Sequence, residues 1–280
     1  MIRLPSVKAI SSTHQNACCK ATKMIDGLYI LSGFLVGGIV GITGVGGGSL
    51  MTPLLVLFFG IAPTTAVATD LLYAAITKAG GIWAHQRRGN IEWQLVGHLA
   101  LGSLPMAVLT IVLLQTLSFD HARLSAIMST ALGFALILTA LALVFREKLR
   151  SVAKRQSPRI VAQHSKAYAV AIGAVMGVLV TLSSVGAGAL GVTALTFIAP
   201  HLSAVRIVGT DIAHAVPLTL VAGLGHAATG AVNWTLLASL LIGSLPGIWI
   251  GSTIGHHLPE RVLRGLLATM LVVIGAKLAL

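Results

Sequence analysis

An all-α fold set in a membrane, with about eight transmembrane helices arranged as two four-helix repeats, is predicted by three features of the sequence. Of 280 residues, 56% are hydrophobic and only 9% charged, with a mean hydropathy of +0.93; a soluble domain carries roughly 25% charged residues. The apolar stretches are long enough to cross a bilayer, which takes about 20 residues each. The second half of the chain also repeats the first at a shift of 140 to 141 residues. Glycine contributes 31 residues and aromatics only 5%, a balance suited to helices whose backbones meet closely in lipid. Period-2 alternation, which a β-barrel needs, is missing.

Crossings are placed near 28–59, 64–84, 92–114, 123–145, 167–198, 204–226, 233–255 and 262–279. The breaks between them fall at 60–63, at 87–89, at 199–201 and at 230–233, where glycine, proline and polar residues interrupt the apolar runs. This divides the chain into a basic N-terminal tail (1–24), a first repeat (25–145), a basic loop (146–166) and a second repeat (167–280). The tail carries Arg3, Lys8, Lys20 and Lys23 without an apolar core, so it does not read as a cleaved signal peptide. Adjacent Cys18 and Cys19 make no disulfide framework.

The net charge of +12 reads as a topology signal and not as a nucleic-acid surface, because the charges sit mostly between apolar runs. With eight crossings, 14 Lys and Arg fall on the side holding both termini and the 146–166 loop, against 4 on the other. That imbalance predicts a multi-pass protein of a bacterial inner membrane with both termini cytoplasmic. Splitting the two longest stretches into separate crossings gives ten spans, an imbalance of 12 to 6, and an N-terminal tail outside.

The internal repeat is specific. Gly33, Gly37, Val45, Gly46, Gly48 and Leu50 align with Gly173, Gly177, Val185, Gly186, Gly188 and Leu190 at a shift of 140. At 141, Thr69-Asp70 aligns with Thr210-Asp211, His85 with His226, Trp93 with Trp234, and Gly102-Ser103-Leu104-Pro105 with Gly243-Ser244-Leu245-Pro246. Four crossings return the chain to its starting side. The two halves are therefore expected to share one orientation, with a substrate path along their interface.

The first stretch of each half is too long for one straight crossing, since about 32 residues span roughly 48 Å against about 30 Å of hydrocarbon. Gly44, Gly46, Gly47, Gly48 and Ser49 mark a break in the first half, and Ser183, Ser184, Gly186 and Gly188 its equivalent in the second. Such glycines either allow tight helix crossings or free the backbone to unwind, at about 1 kcal/mol each in a helix. Their symmetric placement favours unwinding. A half-helix starting there would aim free N–H groups at an anion inside a polar cavity. A dinucleotide loop is excluded because no β-strand precedes the glycines.

Asp70 and Asp211 stand at equivalent positions in the second helix of each half. A carboxylate at mid-bilayer costs about 2.5 to 3.5 kcal/mol, so the pair predicts a proton-coupling role; the alternative is a cap near a wet helix start. His214, one turn from Asp211, is a candidate to orient it. Lys78 is the intramembrane cation, a candidate anion partner unless it snorkels to the interface, and Thr219 stands at its equivalent. His85, His226, Trp93 and Trp234 read as interfacial anchors. No Cys/His cluster has zinc spacing and no nucleophile–base set appears, so no metal, cofactor or enzymatic chemistry is expected.

With these residues assembled, the sequence resembles the sulfite exporter family (TauE/SafE). The likeness rests on the glycine-rich run from Gly37 through Gly46-Gly47-Gly48 to Pro53, then Ala68-Thr69, then His85, Gly89 and Trp93, with the same order degraded in the second half. It implies a duplicated four-helix permease for a small sulfur-containing anion, often with Ser where Asp70 and Asp211 stand here. The expected activity is secondary transport of sulfite or an organosulfonate, with the hydroxyls of Ser49, Thr69, Ser184 and Thr210 replacing the anion's hydration. The contrasting expectation is a membrane sensor or assembly factor that transports nothing. The partners expected are a small anionic substrate and the lipid bilayer.

Overall fold

The computed structural model describes residues 27–42, 48–117, 120–155, 158–254, 268–269 and 271–277, all of whose regular structure is helical. The helices are α1 (Gly27–Ile42), α2 (Gly48–Leu57), α3 (Pro63–Arg87), α4 (Trp93–Thr116), α5 (His121–Val144), α6 (Arg146–Arg155), α7 (Pro158–Ser183), α8 (Ala189–Ile198), α9 (Ala204–Ala228) and α10 (Trp234–Ile254). Five of them, α4, α5, α7, α9 and α10, are long and apolar enough to cross a membrane. The basic 146–166 segment, expected as a loop, is taken up by α6 and the start of α7.

Proline or glycine sets most of the boundaries. Pro63 opens α3, where its missing N–H costs nothing. Gly89 and Gly230, both at positive φ, turn the chain after α3 and α9. Asn233 caps α10 by accepting the Leu236 N–H at 3.0 Å. From Ala66 to Ala75 every residue of α3 is buried, which makes α3 a central helix enclosed on all sides. α9, packed along it, is the most buried of the membrane-length helices.

Close contacts fix the helix directions. Gly33 and Gly37 of α1 meet the backbone of Leu240 and Ser244 in α10, advancing together, so these two helices run parallel. Gly173 and Gly177 of α7 meet Leu99 and Ser103 of α4 in the same sense. α9 is parallel to α4, since Glu92 touches Thr210, Ser103 touches His214 and Ile111 touches Gly225. α3 is antiparallel to α9: Leu72 sits at Gly223, Gly81 at Ile212 and His85 at Gly209. α10 follows the direction of α3, with Asn233 beside Thr69 and Ser244 beside Tyr73.

Two expectations are corrected by these directions. α1 and α3 point the same way, and so do α7 and α9; a single broken crossing before α3 or α9 would have reversed them. The stretches 28–59 and 167–198 are therefore hairpins, in which the short helices α2 and α8 carry the chain back. The halves also do not share one orientation, because the equivalent helices α3 and α9 run antiparallel. It follows that α1 and α7 begin on opposite faces, so the N-terminal end of α1 and the basic segment before α7 do not lie on one side as expected.

The glycine-to-backbone contacts hold this arrangement together. A Cβ on Gly102 would run into the backbone of Val170 and Ala174 in α7, whereas one on Gly97 would meet nothing within 4 Å. Overpacking of this kind costs about 1 to 3 kcal/mol. Gly102→Val is expected to lower the thermal midpoint and the yield of monodisperse protein in detergent, and Gly97→Val to leave both near wild type; equal behaviour of the two would argue against close α4–α7 packing.

Candidate functional site

In the second half the break between α7 and α8 spans 184–188. Ser184 has φ 58°, Gly186 φ 128° and Gly188 φ 153°, so the backbone leaves the helical region at three of these five residues. Gly188 precedes α8 with no side-chain cap, and its carbonyl accepts the Val192 N–H at 2.8 Å. The Ser183 hydroxyl is used by the break itself: it donates to the Leu179 carbonyl at 2.6 Å and accepts the Val185 N–H at 3.2 Å. At a shift of 140 the equivalent stretch is 44–48, of which Gly44, Gly46 and Gly47 lie outside the described residues; Gly48 and Ser49 form the first turn of α2.

Three ionisable side chains converge beside this break. Asp70 on α3 and Asp211 on α9 lie about two turns inside their helices, too deep for the capping alternative, and are 0% and 3% exposed. Lys78 on α3 is buried, stands within electrostatic reach of both carboxylates, and donates from Nζ to the Ala187 carbonyl at 2.5 Å. It does not snorkel to an interface. The positive end of α8 and the Lys78 ammonium thus meet at the same break, flanked by two acids. Antiparallel packing of α3 on α9 brings this about, since Asp70 and Asp211 approach from opposite ends of the bundle.

The surroundings of the two aspartates differ. Thr52 on α2 donates from Oγ1 to Asp70 Oδ2 at 2.5 Å, and the Ser184 hydroxyl faces the same carboxylate. Asp211 has Val192 where Asp70 has Thr52, at a shift of 140, and its Oδ1 fills the space that a Cβ on Gly191 would take. One turn on, His214 shares a hydrogen bond of 2.8 Å between Nε2 and the Ser103 hydroxyl of α4.

Thr69 and Thr210 do not face this cluster with free hydroxyls. Thr69 accepts the Asn233 N–H at 3.2 Å, and Thr210 accepts the Glu92 N–H at 3.0 Å while donating to the Arg206 carbonyl at 2.7 Å. Each threonine thereby ties the second helix of one half to the start of the third helix of the other. Beside Thr210, Arg206 and Glu92 form a half-exposed ion pair at 2.7 Å across the same junction. His226 is buried, with Nε2 3.0 Å from the Thr181 carbonyl, and His85 packs against Gly209. Trp93 and Trp234 are exposed, as belt residues would be. Thr52, Tyr73, Ser103 and Ser244 also belong to the cluster; only Ser103 and Ser244 carry a signal in the sequence, the repeated Gly-Ser-Leu-Pro.

The sequence profile of the family described as "Sulfite exporter TauE/SafE" matches residues 29–278. The chain belongs to that family. It is 40% identical over 250 residues to the "Probable membrane transporter protein YjnA" of Bacillus subtilis (strain 168), covering 89% of this chain and 98% of that one. A second protein of that organism, "Probable membrane transporter protein YdhB", is 30% identical over 241 residues, covering 85% and 93%. A "Probable membrane transporter protein" of Xylella fastidiosa (strain Temecula1 / ATCC 700964) is 26% identical over 239 residues, covering 81% and 84%. No solved structure matches significantly. The TauE/SafE protein described here is a multi-pass membrane transporter.

Removing one member of a buried ion cluster costs about 3 to 5 kcal/mol, because it strands the opposite charge. Lys78→Met is expected to lower the thermal midpoint in detergent sharply, and Lys78→Met combined with Asp211→Asn to recover part of the loss. A Lys78→Met protein as stable as wild type would show that the ammonium does not compensate the carboxylates.

Proposed function

We propose that this transporter is a secondary permease for a small oxyanion, sulfite or an organosulfonate, coupled to protons. The observation that carries the reading is the meeting of Lys78, the uncapped start of α8 and two buried carboxylates at one break. A helix N-terminus with a lysine beside it attracts an anion. With both acids ionised the cluster holds one negative charge more than Lys78 neutralises, and in a low-dielectric core an anion enters more favourably with a compensating proton. Asp70 or Asp211 would carry that proton, His214 would orient Asp211, and Ser184 with the first turn of α2 at Gly48 and Ser49 would line the path.

The two halves are read as inverted repeats, supported by the antiparallel course of α3 and α9 and by the paired threonine contacts. In such transporters the substrate site lies where the repeats meet. Within a bacterial inner membrane, the side holding the 146–166 segment, with its seven Lys and Arg, is placed in the cytoplasm; the N-terminal end of α1 then lies outside.

In proteoliposomes with an imposed pH gradient, the purified protein is expected to move sulfite or sulfoacetate saturably. Asp70→Asn is expected to abolish the dependence on the pH gradient while leaving the elution profile of the folded protein unchanged. Gradient-driven flux equal to wild type would remove Asp70 from coupling, and the absence of anion flux by wild type would remove the permease reading.

A further inference from the structure

At a shift of 141 residues, Tyr73 aligns with His214 and Ser244 with Ser103. The two pairs occupy equivalent crossings, one where α9 meets α4 and the other where α3 meets α10. They are not in the same state. His214 and Ser103 are bonded, whereas the Tyr73 hydroxyl and Ser244 Oγ face each other fully buried and neither has a hydrogen-bond partner. Two more buried oxygens on the Asp70 side are also unbonded, Ser184 Oγ and Asp70 Oδ1, and both lie at the break at 184–188; on the other side Asp211 Oδ1 is unbonded.

Buried polar atoms are nearly always paired, because burying them unbonded forfeits the hydrogen bonds they had in water. Four such atoms from three separate segments, Tyr73 facing Ser244 and Asp70 facing Ser184, describe a site for a guest. Three of them are hydroxyls able to donate, and the fourth belongs to a carboxyl group that donates when protonated. A guest that satisfies donors from α3, α10 and the break together must be compact and carry acceptors on several sides, as pyramidal and tetrahedral oxyanions do. Lys78 and the start of α8 next to it supply positive charge. A bare metal cation, which the same oxygens would also suit, is disfavoured by that ammonium.

We infer that Tyr73, Ser184 and Ser244 are the hydroxyl donors that hold the transported oxyanion on the Asp70 side of the core, and that the bonded His214–Ser103 pair marks the corresponding place on the Asp211 side as closed. The inference rests on the permease reading and adds to it a specific donor set and an inequality between the halves. Replacing tyrosine by histidine at the equivalent position lets the second half close on its own serine; the first half waits for the substrate.

Transport kinetics with sulfite as the probe test this. Tyr73→Phe and Ser244→Ala are each expected to raise KM about 10- to 100-fold, the range for losing one hydrogen bond to a charged group, with maximal rate changed much less. Should Tyr73→Phe fail to fold, Ser244→Ala and the thermal stabilisation of the detergent-solubilised protein by sulfite report on the same site. Wild type that transports sulfite while both variants keep its KM overturns the inference and leaves the permease reading standing. Wild type that transports no oxyanion overturns both. Stabilisation by sodium over choline as chloride salts, with none by sodium sulfite over sodium chloride, shows a cation site instead and also overturns it.

Discussion

An ammonium group far inside an apolar bundle is stable only where opposite charge and hydrogen-bond acceptors meet it, and Lys78 has both. The Ala187 carbonyl accepts its hydrogen bond, and Asp70 and Asp211 lie within electrostatic reach. Each partner comes from a different part of the chain: a broken segment of the second half, a position about two turns earlier on α3, and the antiparallel helix α9. The cluster therefore exists only if the break, the two central helices and their relative direction are all in place.

Direction is set by packing without bulk. Where α1 meets α10 and α7 meets α4, glycine lies against backbone, so helices approach at distances no side chain would allow. These contacts fix α1 and α7 as the first arms of hairpins whose second arms, α2 and α8, return toward α3 and α9. Thr52 reaches Asp70 from α2, and Gly191 of α8 makes room for Asp211, so each returning arm touches the acid of its own half. The threonine struts and the Arg206–Glu92 pair then join each half to the other at the turns. The exposed ion pair contributes little, about 0 to 1 kcal/mol; the buried polar contacts confer the specificity.

Much of this was legible in the sequence, because it depended on local patterns. Apolar stretches bounded by glycine, proline and charge located α3, α4, α5, α9 and α10 to within a few residues, and the family resemblance agrees with the profile match. The tendency of Ser184, Gly186 and Gly188 to leave the helix follows from residue type alone. Helix direction was not legible. A stretch of 32 residues fits a tilted crossing or a hairpin equally by length, and only contacts between distant segments decide which, with every later span inverting as a result. Thr69 and Thr210 illustrate the same limit: a threonine before a buried aspartate looks like a ligand, and its bond to a backbone N–H some 118 or 164 residues away is invisible until the fold is known. Tyr73 carried no signal of its own and Ser244 only its place in the repeated Gly-Ser-Leu-Pro, since a tyrosine and a serine in apolar helices are ordinary until they are found facing each other unbonded.

Only the opposed orientation of the two halves lets Asp70 and Asp211 close on a single lysine. Arg88 and Thr229, both exposed, stand at equivalent positions in the turns after α3 and α9. In a background with Cys18 and Cys19 replaced by serine, Arg88→Cys and Thr229→Cys can each be labelled in intact cells and in inverted vesicles with a membrane-impermeant thiol reagent. Opposed halves require the two cysteines to label from opposite sides of the membrane. Labelling of both from the same side would mean that the halves are parallel and that the site described here is not the one the protein builds.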